Sequence, residues 1–171
     1  MRRALLIASV VALLGLAPQA GAAPAAQRSG ALETAVVEQV NALRLAYGLP
    51  ALDRSSGLRR AADAHTLGML RTGSFAHVLP GGPTLAQRVS RFYPRTAKGW
   101  STGENIALFG PDAPSAKAVL DAWLGSPAHR ANLLRRDWRH IGVSARFAAA
   151  PPGDFGFRPS WLITLDLGRK R

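Results

Sequence analysis

The sequence predicts an α+β domain in which layers of helix pack against an antiparallel sheet. Apolar residues recur every three or four positions early in the chain, and two segments near its end alternate between apolar and polar residues. The 171 residues allow one core with a leader, and they exclude two-domain dinucleotide enzymes and (β/α)8 barrels. With 47% hydrophobic and 19% charged residues, the composition is that of a globular protein.

Two long helices are predicted at the start of the folded region. Apolar positions between residues 32 and 47 share one helical face, and the Gly-Leu-Pro sequence at 48–50 ends that helix. A second helix is capped by one of the serines at 55–56 and ends near Gly73. Its apolar face includes His65, which we interpret as a core histidine satisfied by hydrogen bonds rather than as a ligand.

Shorter elements are predicted in the rest of the chain. Residues 85–92 form an amphipathic helix, and the short apolar stretch at 104–109 is extended. The alternating segments 141–147 and 161–167 predict two antiparallel strands joined by a loop rich in Pro and Gly.

Two more helices are predicted between these strands and the extended segment. Asp112 is expected to cap the first of them, with Pro114 in its first turn. Ser126 is expected to cap the second, with Pro127 at the first helical position. This places His129 in the first turn, where the positive potential of a helix start disfavours a protonated imidazole. We therefore expect His129 to be neutral.

The first residues have the pattern of a secretory signal peptide. Residues 1–22 combine a short basic start, an apolar run at 4–16 and an Ala-Gly-Ala cleavage site at 20–22. A membrane anchor is the alternative, but the apolar run is shorter than the ~20 residues that span a bilayer. We expect a flexible leader at 23–30 and one domain at 31–171. The protein is then exported to the periplasm or the extracellular medium, without a transmembrane segment after cleavage.

The charge balance indicates which partners the protein attracts. It has 22 Lys and Arg against 10 Asp and Glu, a net charge of +12 that favours anionic surfaces such as phospholipid head groups and envelope polysaccharides. The basic residues are scattered, and no nucleic-acid-binding module is visible, which argues against nucleic acid as the partner. The absence of cysteine excludes disulfides, thiolate zinc sites and a cysteine nucleophile.

One motif suggests a serine hydrolase, but its surroundings argue against that activity. Residues 99–103 read G-W-S-T-G, with Asp121 and His129 following in the order of the hydrolase triad. A nucleophile elbow requires a buried strand before the serine and a helix after it. Here a Pro-containing loop precedes the motif and an extended segment follows it.

Three dispersed residues have the chemistry of a metal site. His77, Glu104 and His129 offer two imidazoles and a carboxylate, and three protein ligands with one open position are the arrangement of catalytic zinc. Spacing alone does not bring them together. The alternative is that Glu104 and Asn105 hold loops in place and that His129 is an exposed residue near a helix cap.

Several motifs in order give the chain a resemblance to a known family. They are N-x-x-R at 41–44, F-A-H at 75–77, G-E-N-I-A at 103–107, W-x-x-S-P-x-H-R at 123–130 and I-G-V at 141–143. This series resembles the bacterial branch of the CAP superfamily, also called SCP/PR-1-like. The resemblance covers residues 36–168, nearly the whole predicted domain.

The resemblance implies an α-β-α sandwich and a central cleft lined by two histidines and two acidic residues that can bind Zn²⁺. Three of these residues carry over by motif, namely His77, Glu104 and His129. The fourth position is occupied by Ser126, so the obvious general base for a metal-assisted hydrolase is missing. The cleft is also expected to include Asn105 and Arg130. No organic cofactor is implied, and the disulfides of eukaryotic members are absent.

Three functions remain open at this point. The first is an exported, monomeric binding protein whose cleft accepts a lipid or an envelope component, with a divalent metal held by His77, Glu104 and His129. The second is a metal-dependent, protease-like hydrolase that uses the same cleft. The third is a basic adhesion protein of the envelope, whose attachment weakens with salt.

Overall fold

The computed structural model describes residues 26–96 and 99–170, which form one α-β-α sandwich. Its helices are α1 (Gly30–Ala46), α2 (Ser56–Thr72), α3 (Leu85–Ser90), α4 (Ala116–Leu124) and α5 (Pro127–Leu133). Its strands are β1 (Gln27–Arg28), β2 (Asp53–Arg54), β3 (Trp100–Phe109), β4 (His140–Ala148) and β5 (Ser160–Lys170). A short 3-10 turn, Gly153–Phe155, lies in the loop before β5.

The sheet is built around β5. It pairs antiparallel with β4 on one side and with β3 on the other, so β3 is an edge strand. The two-residue strands β1 and β2 both pair with the outer side of β4, β1 antiparallel and β2 parallel. The predicted α+β class with an antiparallel sheet is confirmed, and the parallel pairing of β2 is the one departure.

Each face of the sheet packs against its own helices. Val36, Trp123 and Leu133 from α1, α4 and α5 pack with Ile163 and Leu165 in the larger cluster of buried apolar side chains. Residues that alternate with these along the strands face α2 and α3. Helices from opposite faces of the sheet therefore both reach the exposed edge of β3, where the candidate site lies.

Most predicted elements are confirmed, with one correction at α4. The predicted cap Asp112 lies outside the helix, because Ser115 takes the cap position and its Oγ accepts a hydrogen bond from the N–H of Ala118 at 3.1 Å. Pro114 therefore precedes the cap instead of lying in the first turn. Strand β1 and the first residue of α1 lie within the stretch 23–30 predicted as a leader, and residues 1–22 lie outside the described part of the chain.

Helix α2 packs closely on β4 because Gly142 has no side chain. A Cβ at this position would overlap the backbone of Leu58 and Arg59. Farther along the helix, Asp63 accepts two hydrogen bonds from Arg146 of β4, at 2.7 and 3.0 Å. Burial raises the pKa of Asp63, but the hydrogen bonds from Arg146 and Ser144 outweigh it and lower this pKa below its ordinary value.

The N-x-x-R motif holds the turn after α1. Asn41 exchanges two hydrogen bonds with the backbone of Leu52, at 2.8 and 3.1 Å. The fully buried Arg44 donates to the carbonyls of Pro50, Leu133 and Arg135 at 2.7–3.1 Å. Burial lowers the pKa of Arg44, and the charge of Arg139 lowers it further. Arg44 thus connects α1 to the end of α5 through main-chain oxygens.

An acidic side chain, Asp166, is fully buried in β5. It lies directly opposite Glu104 of β3 in the strand register. Neither of its oxygens has a hydrogen-bond donor among the described residues. Burial and then the charge of Glu104 raise the pKa of Asp166 well above its ordinary value, while Arg88 acts in the opposite direction. Asp166 therefore keeps its proton to a higher pH than an exposed aspartate does.

We predict that Arg44→Ala lowers the free energy of unfolding by about 3 kcal/mol or more, because it leaves three carbonyls without a donor and creates a cavity. Urea denaturation measures this change. The matched control is Arg54→Ala, which removes an exposed arginine and should cost less than about 1 kcal/mol. Equal costs for the two variants would contradict the role assigned to Arg44.

We predict that the free energy of unfolding of Asp166→Asn increases relative to that of the native protein as pH rises from about 4 to 7. The unfolded chain releases the Asp166 proton above about pH 4, whereas the folded chain releases it only at a higher pH, so the contribution of Asp166 to native stability falls as pH rises above about 4. The advantage of the variant should grow by up to about 1.4 kcal/mol per pH unit. Urea denaturation across this pH range measures it, and the half-exposed Asp121→Asn is the control. A difference independent of pH would refute the raised pKa of Asp166.

Candidate functional site

The candidate site lies at the exposed edge of the sheet, where both helical layers reach strand β3. Glu104 is in β3, His77 is in the loop between α2 and α3, and His129 is in the first turn of α5. The sequence places these residues far apart, and the edge position of β3 brings them to one region. The fold therefore supplies the proximity that spacing alone does not predict.

Glu104 is the buried centre of this region. Only 1% of its side chain is exposed, and its Oε1 accepts a hydrogen bond from Nδ1 of His77 at 2.8 Å. Its Oε2 forms an ion pair with Nη2 of Arg88 from α3. Because a carboxylate oxygen accepts hydrogen bonds, Nδ1 of His77 is the donor in this pair, and the lone pair of the neutral imidazole is then on Nε2.

A second histidine, His65 of α2, lies behind Glu104. It is a core residue, as the sequence predicts, and its Nε2 donates to the carbonyl of Ala76 at 3.0 Å. The same nitrogen is 3.6 Å from Oε1 of Glu104. Burial lowers the pKa of His65, although the charge of Glu104 opposes this, so the imidazole is neutral.

His129 meets His77 from the other helical layer. The centroids of the two rings are 6.2 Å apart and their planes are tilted by 59°. Burial, and then the charge of His77, lower the pKa of His129. A neutral imidazole is the expected state, but its causes are burial and His77 rather than the helix start alone.

The G-E-N motif also fixes the position of α5. Asn105 is fully buried, donates from Nδ2 to the carbonyl of His129 at 3.2 Å and accepts from Nδ2 of Asn132 at 2.9 Å. Gly103 is required beside it, because a Cβ there would lie 2.5 Å from Asn132 and 2.8 Å from Trp138. Asn105 therefore holds the backbone of His129 in place.

Two predicted cleft residues have other roles in the structure. Arg130 is exposed and points to the end of α1, where its Nη2 donates to the hydroxyl of Tyr47 at 2.9 Å. Ser126 takes the cap position of α5, but its side chain makes no capping hydrogen bond. Asp121, the nearest acidic residue in sequence, pairs with Lys117 on the surface of α4.

Arg88 and Asp166 are the site residues that the sequence analysis misses. Arg88 occupies the apolar face of the amphipathic helix α3, one position before the buried Val89, and Asp166 interrupts an apolar strand. A charged residue at an expected core position is the signal that both share. Both residues lie close to Glu104. The pairing of Glu104 with Asp166 follows from the register between β3 and β5, and the periodicity of the sequence does not predict that register.

The donor set differs from a ready-made three-ligand metal centre. Across residues 26–96 and 99–170, no group of three or more His, Asp or Glu side chains is arranged to hold a metal ion. Both carboxylate oxygens of Glu104 already have partners within the protein, His77 for Oε1 and Arg88 for Oε2, so Glu104 is not free to act as a third ligand. The atoms that remain available for a ligand are Nε2 of His77 and the imidazole nitrogens of His129.

Sequence comparison places the chain among bacterial proteins. It is 30% identical over 111 residues to the uncharacterized membrane protein YlbC of Bacillus subtilis, and 36% identical over 115 residues to YkwD of the same organism. These matches cover 65% and 66% of this chain but only 30% and 42% of those relatives. The chain thus corresponds to less than half of each curated relative.

Structural comparison supports the same placement. An extracellular SCP-domain protein from Bacillus anthracis matches with a TM-score of 0.63 and 26% identity, over 82% of this chain and 41% of that one. An outer surface protein from Borrelia burgdorferi shares the fold, with a TM-score of 0.67 and 18% identity over 85% of this chain and 99% of that one. The family model of the cysteine-rich secretory proteins matches residues 37–151. The chain therefore belongs to the CAP family, as a domain of the bacterial type.

Proposed function

We propose that this CAP domain is an exported binding protein whose cleft between His77 and His129 takes a lipid or cell-envelope ligand together with a divalent cation. The observation that carries the proposal is the hydrogen bond from Nδ1 of His77 to Glu104 at 2.8 Å. It orients the imidazole so that Nε2 is available beside the ring of His129.

Two imidazoles are the direct ligands in this proposal, and Glu104 acts behind them. Histidines that bind a metal usually donate their other ring N–H to a carboxylate, which fixes the tautomer and raises ligand basicity. His77 and Glu104 have this relationship, and Arg88 keeps the carboxylate in place. A bound Zn²⁺ supplies a Lewis acid for oxygen atoms of the ligand.

Export is supported by the signal-peptide pattern of residues 1–22 and by two similar proteins, one an extracellular protein and one an outer surface protein. Every helix in the described residues is too short or too polar to span a bilayer. A net charge of +12 suits an anionic envelope ligand.

A hydrolase is less well supported, because the described residues place no free base beside the two histidines. Glu104 is engaged, Asp166 is fully buried with a raised pKa, and Ser126 occupies the position of the second acidic residue. A metal-assisted hydrolase needs a group that removes a proton from water. Binding requires no such group.

We predict that Zn²⁺ binds the native protein and that either His77→Ala or His129→Ala weakens this binding at least tenfold, because each removes a ligand. Glu104→Gln should weaken it by about 10- to 100-fold through the loss of the carboxylate behind His77. Isothermal titration calorimetry at neutral pH measures these affinities.

The control for this titration is His140→Ala, which removes a histidine hydrogen-bonded to Tyr93 and should leave Zn²⁺ affinity unchanged. Thermal unfolding of each variant without metal separates lost binding from lost folding. The absence of heat with the native protein would remove the metal from the proposal. Undiminished affinity in Glu104→Gln would remove the role given to Glu104.

A further inference from the structure

We propose that a groove between α2 and α3 binds a phosphate group carried on a small apolar body, at a site separate from His77 and His129. The groove has a volume of about 350 Å³, which lies within the ~300–1,000 Å³ range of small-molecule pockets. We call it the arginine groove, because Arg71, Arg88 and Arg91 line it.

The lining of the arginine groove combines positive charge with apolar surface. Its apolar part includes Leu67, Leu79 and Phe92. Among the described residues that line it, there is no Asp or Glu, and only Arg88 has an acidic partner, Glu104, which lies outside the lining. A site with cationic and apolar walls suits a ligand with an anionic group and an apolar body.

The two outer arginines make no ion pair and no side-chain hydrogen bond with the part of the chain that the structure describes, and both are exposed. This distinguishes Arg71 and Arg91 from Arg28, Arg54 and Arg146, each of which pairs with an acidic side chain. Guanidinium groups without an acidic partner are available to an external anion.

The inner arginine, Arg88, differs from the two outer arginines because its side chain is buried. Arg88 is 6% exposed, and its Nε has no hydrogen-bond partner among residues 26–96 and 99–170. Its Nη groups already donate to the carbonyl of His77 and to Glu104. Arg88 therefore forms the inner wall of the groove with its guanidinium already held by the protein, and Arg71 and Arg91 are the guanidinium groups available to a ligand.

Phosphate is the anion that fits this arrangement best. Guanidinium groups match the tetrahedral oxygens of phosphate through paired hydrogen bonds, and several arginines suit a doubly charged group. A second, more open depression shares Pro83 and Arg91 with the groove and adds Gln87 and Ser90. Polar atoms therefore continue beyond the charged walls, where a glycerol or sugar portion of the ligand would lie.

A competing cavity of similar size is less suited to an anion. It is lined by Arg28, Arg54 and Arg59, but also by Glu33. Arg28 is bonded to Glu33, and Arg54 donates to Thr34. Arg54 also pairs with Glu38, so two of the three arginines of this cavity are already engaged with acidic side chains.

The test is calorimetric titration with two probes, dihexanoyl phosphatidic acid below its micellar concentration and inorganic phosphate. The lipid probe should bind the native protein at one molecule per chain. Arg71→Ala/Arg91→Ala should weaken this binding at least about tenfold, through lost charge-assisted hydrogen bonds. Arg136→Ala/Arg158→Ala removes the same charge from exposed residues outside the groove and should change the affinity less than about twofold.

In one outcome of this test, inorganic phosphate binds as tightly as the lipid probe and depends equally on Arg71 and Arg91. That outcome would support the site and identify free phosphate as the ligand. Equal losses in both double variants would show general charge attraction and overturn the proposal. Failure of both probes to saturate the native protein would also overturn it. None of these outcomes depends on Zn²⁺ binding at His77 and His129.

Discussion

The ion pair between Glu104 and Arg88 joins the edge of the sheet to the helical layer above it, and the candidate site is built around it. Glu104 comes from β3 and Arg88 from α3, while His65 of α2 lies 3.6 Å from the same carboxylate. The exposed His77 is attached to this buried pair by two hydrogen bonds, from its Nδ1 to Glu104 and from Arg88 to its main-chain carbonyl. A loop residue thereby acquires the fixed orientation that ligand binding requires.

Burying the Glu104 carboxylate costs desolvation free energy, which neighbouring groups offset in part. Removing a charge from water is unfavourable, and the Arg88 guanidinium offsets this only if the remaining hydrogen bonds are satisfied. A second carboxylate, Asp166, lies opposite Glu104 in the sheet, and burial together with the charge of Glu104 raises the pKa of Asp166. Arg88 of this cluster contacts His77 on one side and lines the arginine groove on the other.

Local rules explain why much of the fold was predictable from the sequence. Several features of the fold depend only on residues that are close in sequence. They are the apolar spacing in α1 and α2, the serines at cap positions 55 and 126, and the alternation in β4 and β5. The roles of Arg88 and Asp166 depend on strand register and on contacts between distant elements, which periodicity does not contain. For the same reason, the family motifs pointed to His77, Glu104 and His129 but not to Arg88, which occupies Oε2 of Glu104.

The most direct test of this account is the tautomer of His77, measured by long-range ¹H–¹⁵N correlation spectroscopy of the imidazole rings without metal. The account predicts a protonated Nδ1 and an unprotonated Nε2, because Nδ1 donates to Glu104. Replacement of Glu104 by glutamine should weaken this preference. A native protein in which Nε2 of His77 carries the proton would contradict the central claim that Glu104 orients this histidine toward a ligand.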